Sequence, residues 1–168
     1  MATKKASKNS TAKKPGSKTK SNPSATPVPV HGGTYVVPRG NVAIAVPAFW
    51  TLRQTNDDLI LESASGQTSV IVTAYHKSAD VKSLDARDYL QHYLEAAPHK
   101  GRFEQDTHTK GRAAARFKDP EGNSWGVVFL TNGKTLLLAT CSSNGPLTSK
   151  EGRVGVWVLN SLYLKPKE

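Results

Sequence analysis

Residues 125–141, from Trp125 to Cys141, read WGVVFLTNGKTLLLATC, and this stretch decides the fold. Asn132-Gly133 is a strong short-range signal for a two-residue type I′ turn, whose central residues both need positive φ. A turn there pairs Phe129 with Leu136, Val127 with Leu138 and Trp125 with Thr140. The opposite face of the same two strands carries Val128, Leu130, Leu137, Ala139 and Cys141. Side chains alternate across a strand, so a pair apolar on both faces must be covered on both. The hairpin is therefore expected at the centre of an antiparallel sheet, with helices above and below.

Working upstream, Asp119-Pro120-Glu121-Gly122 suits a type I turn, with Pro second and Gly fourth. Before it, Thr109-Lys110-Gly111 suits a three-residue hairpin loop with Gly111 left-handed. That register sets His108 against Arg112, Asp106 against Ala114, Glu104 against Arg116 and Arg102 against Lys118. Ala113, Ala115 and Phe117 then form the dry face of this hairpin.

The flanking segments supply the rest. Val42, Ile44 and Val46 alternate as a strand, and Pro47 breaks it before Phe49-Trp50. Asp58–Glu62 and Ser69–Tyr75 follow as a meander around a turn-rich joint. Leu84, Tyr89, Leu90, Tyr93, Leu94 and Ala97 recur at helical spacing, with Ser83 as N-cap and Pro98 as stop. Asp85 favours the positive end of that helix. Thr148-Ser149-Lys150-Glu151 matches a capping box, with Val154, Trp157, Val158 and Ser161 along one helical face. Val154, Val156 and Val158 also alternate as a strand would, but a helix over 148–160 and a short strand at Leu162–Leu164 are expected. Phe49, Trp50, Trp125 and Trp157 are candidate core residues. The fold class is α+β: an antiparallel sheet covered by helices.

Charge divides the chain. Of 168 residues, 23 are Lys or Arg and 13 Asp or Glu, a formal net charge of +10. Lys4, Lys5, Lys8, Lys13, Lys14, Lys18 and Lys20 bring +7 of this to a stretch without acids, aromatics, Leu or Ile. Such a composition cannot bury enough apolar surface to offset the entropy of ordering. Residues 1–33 are expected to be a disordered tail and linker, and 34–168 a globular domain. Seven like charges attract polyanions by releasing counterions, and Lys without Arg or aromatics attracts without reading sequence. The same tail also reads as a solubilising extension or, less readily for want of arginine, as a transit peptide. No stretch approaches the ~18 apolar residues of a membrane span, and the N-terminus has no apolar signal region. A lone cysteine excludes an internal disulfide and suits a reducing compartment, so a cytoplasmic location is expected.

At this point the order of elements resembles the PsbP-like superfamily, an α/β/α sandwich. The resemblance covers roughly 41–165. It rests on Val46-Pro47-Ala48-Phe49-Trp50, the Asp58–Tyr75 meander, the Leu84–Ala97 helix, both hairpins and Val158-Leu159-Asn160-Ser161-Leu162. These are packing signatures without chemistry; the resemblance itself implies a binding or accessory module in place of an enzyme.

Reactive constellations are sparse. Cys141 ends an apolar strand, where free cysteine packs as a small hydrophobe. Histidines 76, 92, 99 and 108 lack the spacing of a metal site, and no cofactor is expected. Asp57-Asp58 suits a turn, and Glu104 suits a cross-strand ion pair with Arg116. Phosphate loops and the G-x-S-x-G elbow are absent. A secondary basic patch is formed by Arg102, Lys110, Arg112, Arg116 and Lys118, which also reads as a charged edge discouraging aggregation. The expectation is a non-enzymatic module tethered by its tail to an anionic partner, nucleic acid above others. A chaperone or adaptor with an apolar groove for a protein partner, and an enzyme with a cleft hidden from sequence, remain alternatives.

Overall fold

The computed structural model describes residues 28–29, 33–37, 42–76, 85–96, 104–109 and 111–164. In chain order the elements are β1 (Val28–Pro29), β2 (Gly33–Val37), β3 (Val42–Val46), β4 (Thr51–Gln54), β5 (Asp58–Glu62) and β6 (Thr68–His76). Then come α1 (Ala86–Ala96), β7 (Glu104–Thr109), β8 (Arg112–Lys118), β9 (Ser124–Thr131), β10 (Thr135–Ser143), α2 (Lys150–Ser161) and β11 (Tyr163–Leu164). Among the described residues eight strands form one antiparallel sheet, β1-β4-β5-β6-β10-β9-β8-β7, and three form a second, β11-β3-β2.

The two-faced hairpin β9–β10 lies in the middle of the large sheet, as its apolar faces require. Its register differs from expectation by two residues. Thr131 stands opposite Leu136 and Leu138 opposite Phe129, so the turn is centred one residue later, on Gly133-Lys134, with Asn132 N donating to Thr135 O at 3.3 Å. The Asn132 side chain is the reason, because its Oδ1 accepts from Lys134 N at 3.1 Å and Thr135 N at 2.9 Å. This side-chain turn outcompetes a turn centred on Asn132-Gly133. A slip of two leaves every side chain on its expected face.

On one face, Val128, Leu130, Leu137, Ala139 and Cys141 pack with Leu59, Leu61, Val70 and Val72. Val158 and Leu159 of α2, together with Val42, Ile44 and Val46 of β3, cover this layer. The small sheet thus shares the work of the second helix. On the other face, Val127, Phe129 and Leu136 join Ala113, Ala115 and Phe117 beneath Ala86 and Leu90 of α1. Tyr89 and Tyr93 set their rings 6.3 and 5.9 Å from that of Phe129.

Both helices start one or two residues away from the expected caps. The α1 cap is Asp85, whose Oδ1 accepts from Arg87 N at 2.9 Å; Ser83 lies outside the described residues. The α2 cap is Ser149, not Thr148, with Oγ accepting from Gly152 N at 3.1 Å. Glu151, freed from the expected capping box, accepts from Ser63 Oγ at 2.9 Å and Ser65 Oγ at 2.6 Å. That ties α2 to the β5–β6 turn.

The buried stripe of α2 also differs from expectation: it runs through Gly152, Gly155, Val158 and Leu159. Gly155 is needed there, because a Cβ would stand 2.5 Å from Cys141 Sγ and 3.1 Å from Thr68 Cγ2. The glycine lets the helix lie directly on the strand. Trp157 consequently turns outward and is 53% exposed, so it is not a core residue. Phe49 is likewise corrected, at 81% exposed and with a φ of 68° that bulky residues seldom adopt. Trp50 is buried and Trp125 half-buried.

Backbone pairing begins earlier in the chain than the composition break. Val28 stands opposite Leu52 and Pro29 opposite Thr51 at the sheet edge, and Gly33 opposite Val46 in the small sheet. The segment expected as tail and linker therefore contributes two residues to one sheet and begins a strand of the other.

Candidate functional site

Basic residues on β8 alternate, so Arg112, Ala114, Arg116 and Lys118 share the face turned toward α2. Arg112 Nη2 donates to Asn160 Oδ1 at 3.0 Å and to Leu159 O at 3.4 Å. Carbonyls of a helix's last turn lack intrahelical partners, and a cation there suits the negative end of the dipole. Arg112 is thus the C-terminal clasp of α2. Arg116 stands opposite Glu104 in the ladder, as the sequence suggests, while Lys118 is exposed at the strand end. His108 does not face Arg112; a bulge between Asp106 and Thr109 puts Thr109 there. Arg102 and Lys110, and all seven tail lysines, lie outside the described residues.

Beneath these cations, Ala114, Arg116, Gly126, Val128, Val156 and Leu159 line a dent of about 20 Å³. That is room for about one water, whereas small-molecule sites run to about 300–1,000 Å³.

Among the described residues, Cys141 is packed in the core, and Asp58 and Asp119 are engaged by hydrogen bonds. Cys141 is fully buried, and desolvation pushes its thiol up to about 12, the reverse of what a nucleophile requires. Asp58 Oδ1 accepts from Thr73 Oγ1 at 2.6 Å. Asp119 Oδ2 accepts from Trp125 Nε1 at 3.0 Å and from Asn123 Nδ2 at 2.9 Å. The indole bond foremost, then those from Asn123 and Glu121, hold this carboxyl below its ordinary range, against an opposing push from partial desolvation. His92 is exposed on α1, and no group of three His, Cys, Asp or Glu able to hold a metal occurs among the described residues. Among those residues, too, no helix is long and apolar enough to cross a membrane.

The outer face of α2 was not anticipated. Lys150, Arg153, Trp157 and Asn160 are all exposed and recur at three- and four-residue spacing, which makes one stripe. The signal for it lay in Gly152 and Gly155, whose spacing marks the buried stripe and leaves Trp157 outside.

This architecture can be compared with known structures. A solution structure of cyanobacterial PsbP (CyanoP) from Synechocystis matches over 80% of this chain and 92% of its own, with TM-score 0.57 and 12% identity. The fold is PsbP-like. A crystal structure from Bacteroides thetaiotaomicron matches 82% of this chain with TM-score 0.53 and 9% identity. This chain spans about half the length of that protein, 50%. Comparisons with protein-family models and with curated proteins give no match. At these identities the likeness concerns the fold, and function has to be argued from the surface.

Proposed function

We propose that this chain is a non-enzymatic binding or accessory module, held to an anionic partner by its lysine-rich N-terminal segment. Nucleic acid is the favoured partner, bound without sequence reading. The observation that carries this is the division of charge: +7 before residue 31 and +3 after it, within a total of +10. Within this reading Cys141 is a packing residue, since its thiol is buried. A free cysteine fits a reducing compartment, and a cytoplasmic location is part of this proposal.

Retention on duplex DNA and on RNA, at low and high salt, tests the tether. Each retained phosphate contact contributes about 0.9 to the log–log salt slope on duplex DNA, so full engagement of the seven lysines gives about −6. Replacing all seven by glutamine should remove most of that slope. Equal retention of both proteins at low salt would refute the tether.

A further inference from the structure

The N-terminal lysines account for attraction alone; the domain itself carries a second surface with a different chemistry. Lys150, Arg153, Trp157 and Asn160 form the exposed stripe of α2, and Arg112 extends it through its 3.0 Å bond to Asn160. Glu151, the sole acid of α2, is engaged by Ser63 and Ser65 on another side of the helix. The stripe therefore combines cations with a half-exposed indole and no acid.

Two ties place the segment of α2 that carries Trp157. Ser161 Oγ accepts from Ala45 N at 2.9 Å, and the Trp50 ring comes within 3.8 Å of a Cβ built on Gly155. The part of α2 between them carries Trp157, so it runs beside the end of β3, where the 81% exposed Phe49 follows. Tyr163, 54% exposed, stands opposite Ala43 further along β3. An exposed aromatic face set among cations on a helix is what an unpaired base stacks on, whereas a duplex keeps its base faces covered.

We propose that the outer face of α2 is a docking surface for single-stranded nucleic acid, with the Trp157 indole stacking on an unpaired base and Lys150 and Arg153 meeting phosphates. This rests on the nucleic-acid reading above for the class of partner, but on different residues. It gives the module a preference for single strands that the N-terminal lysines cannot supply.

The full-length protein is titrated with oligo-dT and with a duplex of equal charge, following tryptophan fluorescence. Trp50 is buried and Trp125 is half-buried with its Nε1 bonded to Asp119, so quenching by oligo-dT reports chiefly Trp157. Trp157→Ala should abolish the quench and weaken oligo-dT binding by about 5- to 100-fold, with duplex binding changed less than about twofold. Trp157→Phe should retain most of the affinity. Arg153→Ala should lower the single-strand salt slope by about 0.7. The seven-lysine variant should bind both nucleic acids more weakly yet still quench at saturating oligo-dT. Wild-type affinity in Trp157→Ala overturns the proposal while leaving the lysine tether intact. Unchanged binding by the seven-lysine variant removes the tether, and the quench still decides the α2 surface. Vesicles of phosphatidylcholine and phosphatidylserine form the last arm. Trp157-dependent vesicle binding without oligo-dT quenching overturns the proposal in favour of a lipid surface.

Discussion

Gly155→Ala should destabilise the protein, although the same change on an exposed helix stabilises it. In a helix interior alanine is worth about 1 kcal/mol more than glycine. Here the new methyl would lie 2.5 Å from Cys141 Sγ, about 1 Å inside ordinary contact at ~3.5–4.0 Å. Cys141 is fully buried on a central strand and α2 is tied at Ser149, Glu151 and Ser161, so little can yield. Overpacking of a tight core costs about 1–3 kcal/mol, and at this overlap about 3. The net expected loss is about 2 kcal/mol. Cys141→Ala removes the sulfur, and in that background Gly155→Ala should be neutral or gain up to about 1 kcal/mol. The coupling between the two sites is then about 2–3 kcal/mol, at the upper end for neighbouring residues. Urea unfolding of the four proteins, followed by circular dichroism with the slopes compared, measures it. Stabilisation by Gly155→Ala in the wild-type background, or equal losses in both, would refute the close contact between α2 and β10.

Two further outcomes follow from single residues. Phe49→Gly should raise stability by about 0.5–1 kcal/mol, because left-handed backbone costs a bulky residue about 1–2 kcal/mol and the unfolded chain returns part of the gain. Phe49→Ala, which keeps the strain, should give no such gain in thermal midpoint, and equal midpoints for the two variants would contradict this. Asp119 has a folded pKa below its ordinary value, held there foremost by the Trp125 indole. Its contribution is complete above the usual carboxylate pKa of about 4 and disappears as pH falls through the lower folded value. The urea-midpoint gap between wild type and Asp119→Asn should therefore shrink as pH drops from about 5 to about 2; a constant gap would rule out that role.

The central hairpin was legible because its composition has two faces, and facing survives a slip of two residues. Its exact pairing was not, since the Asn132 side chain, and not the dipeptide Asn132-Gly133 alone, chooses the loop. Periodicity put Trp157 with Val154 and Val158 because all are apolar at helical spacing. The close approach that decides the matter belongs to Gly152 and Gly155, which hydrophobicity does not weigh. Nothing local marks Phe49 as left-handed. Strand β2 at Gly33–Val37 was hidden beside a tail-like composition, and its partner β3 is what reveals it. Arg112 looked like one cation among five, and only the fold brings it to the end of α2.

The attachment of the N-terminal segment has a mechanical consequence. Its junction with the domain is the two-residue ladder Val28–Pro29 against Thr51–Leu52, at the rim of the sheet. If the N-terminal segment holds a partner as proposed, tension on that segment would reach this two-residue ladder first. The nine-residue zipper between β6 and β10 lies three strands further in. Under that reading the rim strand would serve as a mechanical fuse, opening before the longer ladders of the sheet do.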